Sequence, residues 1–243
     1  DAEEYLELLK KNGVNTDYIN KVLSDYTGSF VVITDIKDCQ IAGFYIGAMQ
    51  HDKELSIKSI MEQQKLTAED IFWVIAPTVP EAMNHFVKQA RETGIRYLYA
   101  PAQQIPKLAK EDLITGLEGA EILVGNDYEI ALLEKKTGLN KEEMLAKVKI
   151  VVTTLNDRGS MIEQQGKPEI AVGVAKPREL KDPTGVGDAY IAGFLSGYLD
   201  NKQLVECGQR GAIAAAYVIE IYGTTGHSYT KDLFENRLKE NFG

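Results

Sequence analysis

The chain has 243 residues, of which 44% are hydrophobic and 26% are charged, a composition typical of globular proteins with one large domain or two small ones. Its net charge of −9 and isoelectric point of about 5.0 argue against binding to duplex DNA or to an anionic membrane, since both require a basic surface. No apolar run reaches the ~18 residues of a membrane-spanning helix, and we expect neither a signal peptide nor a membrane or nucleic-acid partner.

The two cysteines, Cys39 and Cys207, are isolated in the sequence, and the three histidines are far apart. This spacing does not suggest a Cys/His metal site, and it favours a reducing, cytoplasmic compartment.

The chain begins with Asp1 rather than Met, and residues 2–13 are typical of an amphipathic helix that ends at Gly13. A compact domain seldom begins with a helix that has no preceding partner, so we expect upstream residues to be missing. Two β-rich runs follow at 28–36 and 39–49, separated only by two polar residues. So short a polar turn predicts a β-hairpin.

From residue 71 onward, short apolar runs alternate with amphipathic stretches. Strands are predicted at 71–76, 95–100, 121–125 and 149–155. Helices are predicted at 80–94, 105–118, 126–138 and 141–148, and again at 186–199 and about 203–221. One or two short antiparallel strands are expected within 157–175. This alternation predicts an α/β fold with a doubly wound, mostly parallel sheet flanked by helices. We expect a single domain over 1–243, with the hairpin 28–49 as a small appendage.

We expect three polar clusters at one edge of this sheet. They are GNDYE at 125–129, TTLNDRG at 153–159 and DPTGVGD at 182–188. The first follows the strand 121–125, the second ends the strand 149–155, and the third precedes the helix 186–199. In open α/β sheets, ligands bind beyond the carboxyl ends of the strands. The convergence of three clusters there predicts a binding site.

The cluster 182–188 immediately precedes a predicted helix. A helix N-terminus presents unpaired N–H groups and a partial positive charge, which suit an anion. Gly185 and Gly187 would let a phosphate approach that backbone, and Asp188 could accept a proton from a hydroxyl group. The alternative is an ordinary capped helix, with Thr184 or Asp182 as the N-cap and Asp188 as a favourable charge in the first turn.

The segment DPTGVGDAYIAGF (182–194) resembles the C-terminal signature of the ribokinase (PfkB) family of carbohydrate and nucleoside kinases. NDYE (126–129) resembles the N-x-x-E motif of that family, and TTLNDRGS (153–160) resembles its nucleotide-binding loop. The three motifs occur in the family's order, and the resemblance extends over essentially the whole chain. It implies a ribokinase-like fold and an ATP-dependent kinase that uses Mg²⁺ and a monovalent cation, K⁺. The chain has no P-loop motif and no candidate nucleophile triad.

The resemblance also implies roles for the residues of the last cluster. Asp188 would be the base that deprotonates the acceptor hydroxyl, and the amides of Gly185, Val186 and Gly187 would form the anion hole for the γ-phosphoryl group. Such a site needs positioning and charge stabilisation rather than covalent chemistry.

Further roles are implied for the other two motifs. Asn126 and Glu129 would help to place Mg²⁺ and the nucleotide phosphates through water, although a solvated helix charge is the commoner role for such a Glu. The ATP site would be lined by Thr154, Asn156, Gly159 and Gly187. Ala212 would face the adenine, or would simply allow close helix packing.

Asp182 and Thr184 would belong to a monovalent-cation site, together with backbone carbonyls near Val218, Ile221 and Gly223. The alternative for these two side chains is loop capping. Asn156 stands where the family usually has Gly, but Asn tolerates left-handed backbone. Pro183 replaces a common Thr. The family's initial strand–helix–strand portion, with its G-G-N-type motif, has no counterpart in the chain.

The hairpin 28–49 matches the position of the family's lid over the acceptor. Its second half offers Phe44, Tyr45 and Met49 but no Arg or Lys, so it suits a nucleobase or an apolar sugar face rather than a sugar phosphate. Packing of the lid against the body would explain these side chains equally well. We expect a nucleoside acceptor such as adenosine, with ribose or another unphosphorylated sugar as the alternative. An inactive nucleotide-binding fragment remains the alternative from another class. Lids in this family often pair between subunits, which would give a homodimer.

Overall fold

The computed structural model describes residues 2–34 and 40–243, which form two sheets and the helices around them. The strands are β1 Ser29–Thr34, β2 Gln40–Tyr45, β3 Phe72–Ile75, β4 Arg96–Tyr99, β5 Ile122–Asn126, β6 Ile150–Thr154, β7 Ser160–Glu163 and β8 Ile170–Val172. The α-helices are α1 Glu3–Lys11, α2 Ile57–Gln64, α3 Pro80–Thr93, α4 Lys110–Leu117, α5 Asp127–Thr137, α6 Lys141–Leu145, α7 Val186–Leu199, α8 Leu204–Ile219 and α9 Lys231–Phe242.

The larger sheet has the order β3-β4-β5-β6-β7-β8, with β3 to β6 parallel and the last two strands antiparallel. Alternate residues of the parallel strands face opposite layers. Tyr97 and Tyr99 belong to the core cluster with α3, whereas Leu98 belongs to the cluster with α7. Burial on both faces explains why these strands are continuous apolar runs. The predicted α/β fold with helices on both faces is confirmed. Within the described residues, each strand of the larger sheet lies next to the strand that follows it in the sequence.

The smaller sheet is the predicted hairpin, an antiparallel pair of β1 and β2. Its turn, including Lys37 and Asp38, lies outside the described residues. The second strand was predicted to reach residue 49, but it ends at Tyr45, and a 3₁₀ helix occupies Gly47–Glu54. Gly47 is the physical reason. Its φ is +50°, and a Cβ there would lie 2.2 Å from the Tyr26 carbonyl oxygen, so the chain turns closely around the preceding segment.

Two helices were not predicted, α2 and α9. No residue of α2 is buried, and α9 buries only Phe234 and Arg237. Both helices nevertheless carry apolar residues at helical spacing, Ile57, Ile60 and Met61 in α2 and Phe234, Leu238 and Phe242 in α9. The helix predicted at 105–118 is α-helical only from Lys110. Within the described residues, no helix is both long enough and apolar enough to cross a membrane.

Candidate active site

The N-terminus of α7 lies within the cluster DPTGVGD. Gly185 is the N-cap, with φ +82° and ψ −1°, and within residues 2–34 and 40–243 no side chain caps this helix. The alternative in which Asp182 or Thr184 is the N-cap is therefore wrong. A left-handed backbone at position 185 favours glycine. By contrast, a Cβ on Gly187 would meet no described heavy atom within 4 Å, so packing does not explain the glycine there.

The first amides of α7 differ in their partners. The amide of Val186 donates to the Pro183 carbonyl at 3.2 Å, and the amide of Ala189 makes the first helical bond, to the Gly185 carbonyl at 2.9 Å. Of the three amides predicted to form the anion hole, that of Val186 therefore has an acceptor within the turn. Asp188 is exposed in the first turn of the helix.

Asp182 connects this loop to the segment that follows α8. Its Oδ1 accepts a hydrogen bond from the amide of Thr184 and its Oδ2 accepts one from the amide of Gly223, each at 2.9 Å. Hydrogen bonds from the Thr184 side chain and from these two amides hold the pKa of Asp182 below its usual range. The structure thus brings together Asp182, Thr184 and Gly223, three positions of the predicted cation site. The same hydrogen bonds also fit the alternative interpretation, in which Asp182 and Thr184 only cap the loop.

Helix α7 is held firmly against the sheet and α8. The hydroxyl of Tyr190 donates to Ser160 Oγ at 2.7 Å in a buried contact. A Cβ on Gly193 would lie 2.5 Å from the Arg210 carbonyl of α8, so the two helices are in backbone contact. This packing makes the N-terminus of α7 a rigid platform.

Asn126 and Glu129 form a reciprocal capping box at the start of α5. Asn126 Oδ1 accepts from the Glu129 amide at 2.8 Å, and Glu129 Oε2 accepts from the Asn126 amide at 2.9 Å. The N-x-x-E spacing is thus accounted for by helix capping, while Glu129 Oε1 lies outside the box. Among the described residues, no group of three or more His, Cys, Asp or Glu could hold a metal ion.

The loop after β6 has the unusual backbone that the sequence suggested. Asn156 has φ +55°, so Asn does adopt the left-handed conformation in place of glycine. Gly159 has φ +85°, and a Cβ there would lie 2.0 Å from the Val172 carbonyl oxygen. The amide of Leu155 closes the loop by donating to the Gly159 carbonyl at 2.8 Å.

The three clusters meet at one edge of the sheet, as predicted. Asn126 and Thr154 are register partners at the carboxyl ends of β5 and β6. Thr154 in turn pairs with Ser160 of β7, which bonds to Tyr190 of α7. An ion pair that the sequence did not reveal adds to this arrangement: Arg158 Nη2 lies 3.0 Å from Asp127 Oδ2.

Three predicted side chains lie away from this edge or have other partners. Ala212 is buried in a cluster with Ile213 and Phe234, and close packing accounts for it. On the hairpin, Phe44 pairs with Phe30 across the strands and is 55% exposed. The hydroxyl of Tyr45 donates to Asp25, and this hydrogen bond raises the pKa of Tyr45.

A parallel α/β sheet with a glycine-bounded helix N-terminus and an adjacent carboxylate at its carboxyl edge is compatible with a nucleotide-dependent phosphotransferase. The profile of the family described as "pfkB family carbohydrate kinase" matches residues 1–231. The chain belongs to the pfkB family of carbohydrate kinases, and it is an ATP-dependent sugar or nucleoside kinase.

Relatives and solved structures agree with this assignment. A nucleoside kinase of Methanocaldococcus jannaschii is 29% identical over 237 residues, which cover 98% of this chain and 75% of the relative. A nucleoside kinase of Methanothermobacter thermautotrophicus is 29% identical over 230 residues, 92% of this chain and 70% of the relative.

The crystal structure of a nucleoside kinase from M. jannaschii superimposes with a TM-score of 0.86 at 28% identity, over 97% of this chain and 76% of that chain. The Burkholderia thailandensis nucleoside kinase in complex with inosine gives a TM-score of 0.87 at 23% identity, over 100% of this chain and 78% of that chain. The latter likeness bears on the fold alone.

Proposed function

We propose that the protein transfers the γ-phosphoryl group of ATP to the hydroxymethyl group of a nucleoside such as adenosine. The observation that carries the proposal is the N-terminus of α7, where Gly187 leaves the backbone open beside the exposed carboxylate of Asp188. The nucleoside class is supported by the two archaeal relatives, both nucleoside kinases at 29% identity.

In the proposed reaction, Asp188 accepts the proton of the acceptor hydroxyl as its oxygen bonds to the γ-phosphorus. The bond from that phosphorus to the bridging oxygen breaks, and ADP leaves with the electron pair. The positive end of α7 and the amides of Gly185, Val186 and Gly187 stabilise charge on the transferring group. Because such a transition state is loose, the rigid attachment of α7 is the protein's main contribution.

Mg²⁺, when bound, would neutralise charge on the phosphates. The residues present fit an indirect role, because the capping box already uses the Asn126 side chain and one oxygen of Glu129. We propose that Glu129 Oε1 orders water molecules of the hydrated ion, and that Thr154, Asn156 and Gly159 border the nucleotide.

K⁺ is proposed beside the same loop. Asp182 and Thr184 fit this role in position, since the Asp182 carboxylate bridges to the Gly223 amide. The Val218 carbonyl already accepts the amide of Ile221 at 3.2 Å, so the cation would share it with that donor. The measurement is activity in K⁺ against activity in a bulky organic cation at equal ionic strength. Equal rates would remove this part of the proposal.

The acceptor is best identified by ADP release over a panel of adenosine, inosine, cytidine, ribose and fructose 6-phosphate, with mass spectrometry of the products. We expect a nucleoside monophosphate. Preferred turnover of ribose would establish the sugar alternative. If the protein binds ATP but phosphorylates no acceptor, the alternative of an inactive nucleotide-binding protein would be established.

The variant Asp188→Asn is the control for the catalytic base. It should abolish turnover and leave the affinity for ATP nearly unchanged. Normal turnover in this variant would show that Asp188 is not the base.

The hairpin 28–49 is proposed as the lid over the acceptor and as the contact in a homodimer. Phe44 is proposed to face the base, because Tyr45 lies on the opposite face of β2 and its hydroxyl donates to Asp25. A two-stranded ribbon is marginal alone, and this one exposes large apolar side chains, including Val31, Ile33 and Ile41. Light scattering should report a dimer that Ile41→Lys dissociates. A monomer at every concentration would exclude this contact.

A further inference from the structure

A buried ion pair joins the last helix to the end of α8. The guanidinium of Arg237 in α9 donates two hydrogen bonds to the carboxylate of Glu220, the residue after α8, and the Nη1–Oε2 distance is 3.1 Å. The side chain of Arg237 is 4% exposed, and its guanidinium stacks on the Tyr217 ring at 4.5 Å. Although burial alone would raise the pKa of Glu220, hydrogen bonds from Arg237 and from the Arg178 amide keep it below its usual range. A two-pronged contact of this kind fixes orientation as well as charge.

The same pair holds residues 176–181, the strap that leads into the cluster DPTGVGD. Arg237 Nη2 donates to the Lys176 carbonyl at 3.2 Å, and Glu220 Oε1 accepts the amide of Arg178 at 2.5 Å. At the other end of the strap, the Ile219 carbonyl accepts the amide of Lys181 at 2.9 Å. The strap is therefore attached at both ends to Ile219, Glu220 and Arg237.

The chain of contacts continues to the N-terminus of α7. The Ile219 carbonyl also accepts the amide of Asp182 at 3.3 Å. The Asp182 carboxylate then bonds to the amides of Thr184 and Gly223. Gly185, the N-cap of α7, follows Thr184 directly and lies against Thr224, where a Cβ would come within 3.1 Å of the Thr224 methyl carbon. Hydrogen bonds, together with the peptide link between Ile219 and Glu220, thus connect Arg237 to the loop that immediately precedes the proposed anion hole.

We infer that Arg237 is a positioning residue for phosphoryl transfer: through Glu220 and the strap it holds Asp182 and the start of α7 in place. This inference rests on the proposed function. Arg237 lies beyond residues 1–231, the part of the chain that matches the family, so membership of the family does not assign this role. Arg237 touches none of the residues proposed to contact the substrates.

The chain offers a matched control. Arg210 of α8 pairs with Glu235 of α9 at 2.9 Å and stacks on Phe234 at 5.1 Å. It therefore joins the same two helices through an ion pair and an aromatic ring, and its Nε also donates to Ser196 Oγ at 3.2 Å, in the last turn of α7. None of its described bonds goes to the strap or to the start of α7. Arg237→Gln and Arg210→Gln should both lower the melting temperature, and only Arg237→Gln should disturb the loop.

The experiment compares the full chain with Arg237→Gln, Arg237→Lys, Glu220→Gln and Arg210→Gln, below their melting temperatures. We expect kcat to fall in Arg237→Gln by about 10- to 100-fold, since small misplacements at a transfer site cost up to ~100-fold, while the KM for ATP changes less. Arg237→Lys keeps the charge without the two-pronged contact, so it should retain more activity. Arg210→Gln should keep the parental kcat.

Amide hydrogen exchange supplies a readout that does not depend on activity. The amides of Lys181, Thr184 and Gly223 should exchange faster in Arg237→Gln and Glu220→Gln than in Arg210→Gln. If the parent phosphorylates no acceptor, the proposed function fails, and exchange still tests the link to the loop. Unchanged kcat and exchange in Arg237→Gln would overturn the inference. If Arg237→Gln does not fold, Arg237→Lys and Glu220→Gln take its place. Unchanged kcat and unchanged amide exchange in both of these variants would then overturn the inference.

Discussion

The hydroxyl of Tyr190 donates a hydrogen bond to Ser160 Oγ at 2.7 Å, and both side chains are buried. Tyr190 follows Asp188 by two positions in α7, and Ser160 is the first residue of β7. This contact therefore fixes the first turns of α7 against the strand that follows the loop 154–159. Burial raises the pKa of Tyr190 to about 12, so the hydroxyl keeps its proton throughout the neutral range.

Replacing Tyr190 by Phe removes this hydrogen bond and leaves the ring packing unchanged. We expect the free energy of unfolding to fall by about 1–2 kcal/mol, because Ser160 then lacks its buried partner. Urea denaturation provides the measurement. The double variant Tyr190→Phe/Ser160→Ala should lose less than the sum of the two single changes, and strict additivity would show that the contact contributes nothing.

The stability of the fold should depend on pH through Glu121, which lies before β5. Its side chain is 5% exposed and accepts hydrogen bonds from Lys149, Arg96 and Tyr198. Burial opposes ionisation, but the hydrogen bonds of Lys149 and Tyr198 prevail and keep the pKa of Glu121 below its ordinary value of 4.5. The unfolded chain then binds the proton more readily than the folded one. Stability from this residue is present above pH 4.5 and is lost as the pH falls through the lower, folded-state pKa.

Glu121→Gln should accordingly lower the free energy of unfolding at pH 7 by about 1.5–3 kcal/mol, the usual cost of losing hydrogen bonds to a charged group. It should also flatten the dependence of stability on pH below 4.5. Glu118→Gln is a matched comparison, since Glu118 pairs with Lys147 at 2.9 Å but is more exposed. Equal acid sensitivity in the parent and in Glu121→Gln would contradict this assignment.

Local signals in the sequence predicted much of the fold. Both ends of α7 were predicted, because glycines precede it and the apolar spacing persists to Leu199. The strands from β3 to β6 were found to within one or two residues, since their apolar runs are short and bounded. Even the capping box of α5 could have been foreseen, because Asn126 and Glu129 have its spacing.

Contacts between distant residues could not be predicted in this way. Asp182 and Gly223 are 41 positions apart, and no local pattern relates a carboxylate to an amide at that separation. The close turn at Gly47 depends on the Tyr26 carbonyl oxygen, so the hairpin ends earlier than its β-rich sequence suggests. Arg237 was missed because its helix is mostly polar and its partner, Glu220, follows a different helix.

The ion pair between Asp127 and Arg158 joins two of the site motifs at 3.0 Å, although both side chains are well exposed. An exposed pair contributes less than about 1 kcal/mol to stability, so Arg158→Gln should unfold almost like the parent. We expect the KM for ATP to rise, because the loop 154–159 is then less fixed against α5. Since salt screens exposed charges, the difference between parent and variant should narrow at high ionic strength. A difference that does not depend on salt would exclude the ion pair as its cause.

Alanine substitutions at two glycines should separate a structural requirement from a functional one. At Gly159, a Cβ would lie 2.0 Å from the Val172 carbonyl oxygen and φ is +85°. Gly159→Ala should therefore unfold at a clearly lower denaturant concentration than the parent.

At Gly187, by contrast, a Cβ would meet no described atom within 4 Å, and Ala is the better helix former by up to about 1 kcal/mol. Gly187→Ala should therefore fold at least as well as the parent. Its kcat should nevertheless fall, because the added methyl group would stand where the proposed phosphoryl group approaches α7. If Gly187→Ala transfers phosphate as fast as the parent, the phosphoryl group does not bind at this helix end.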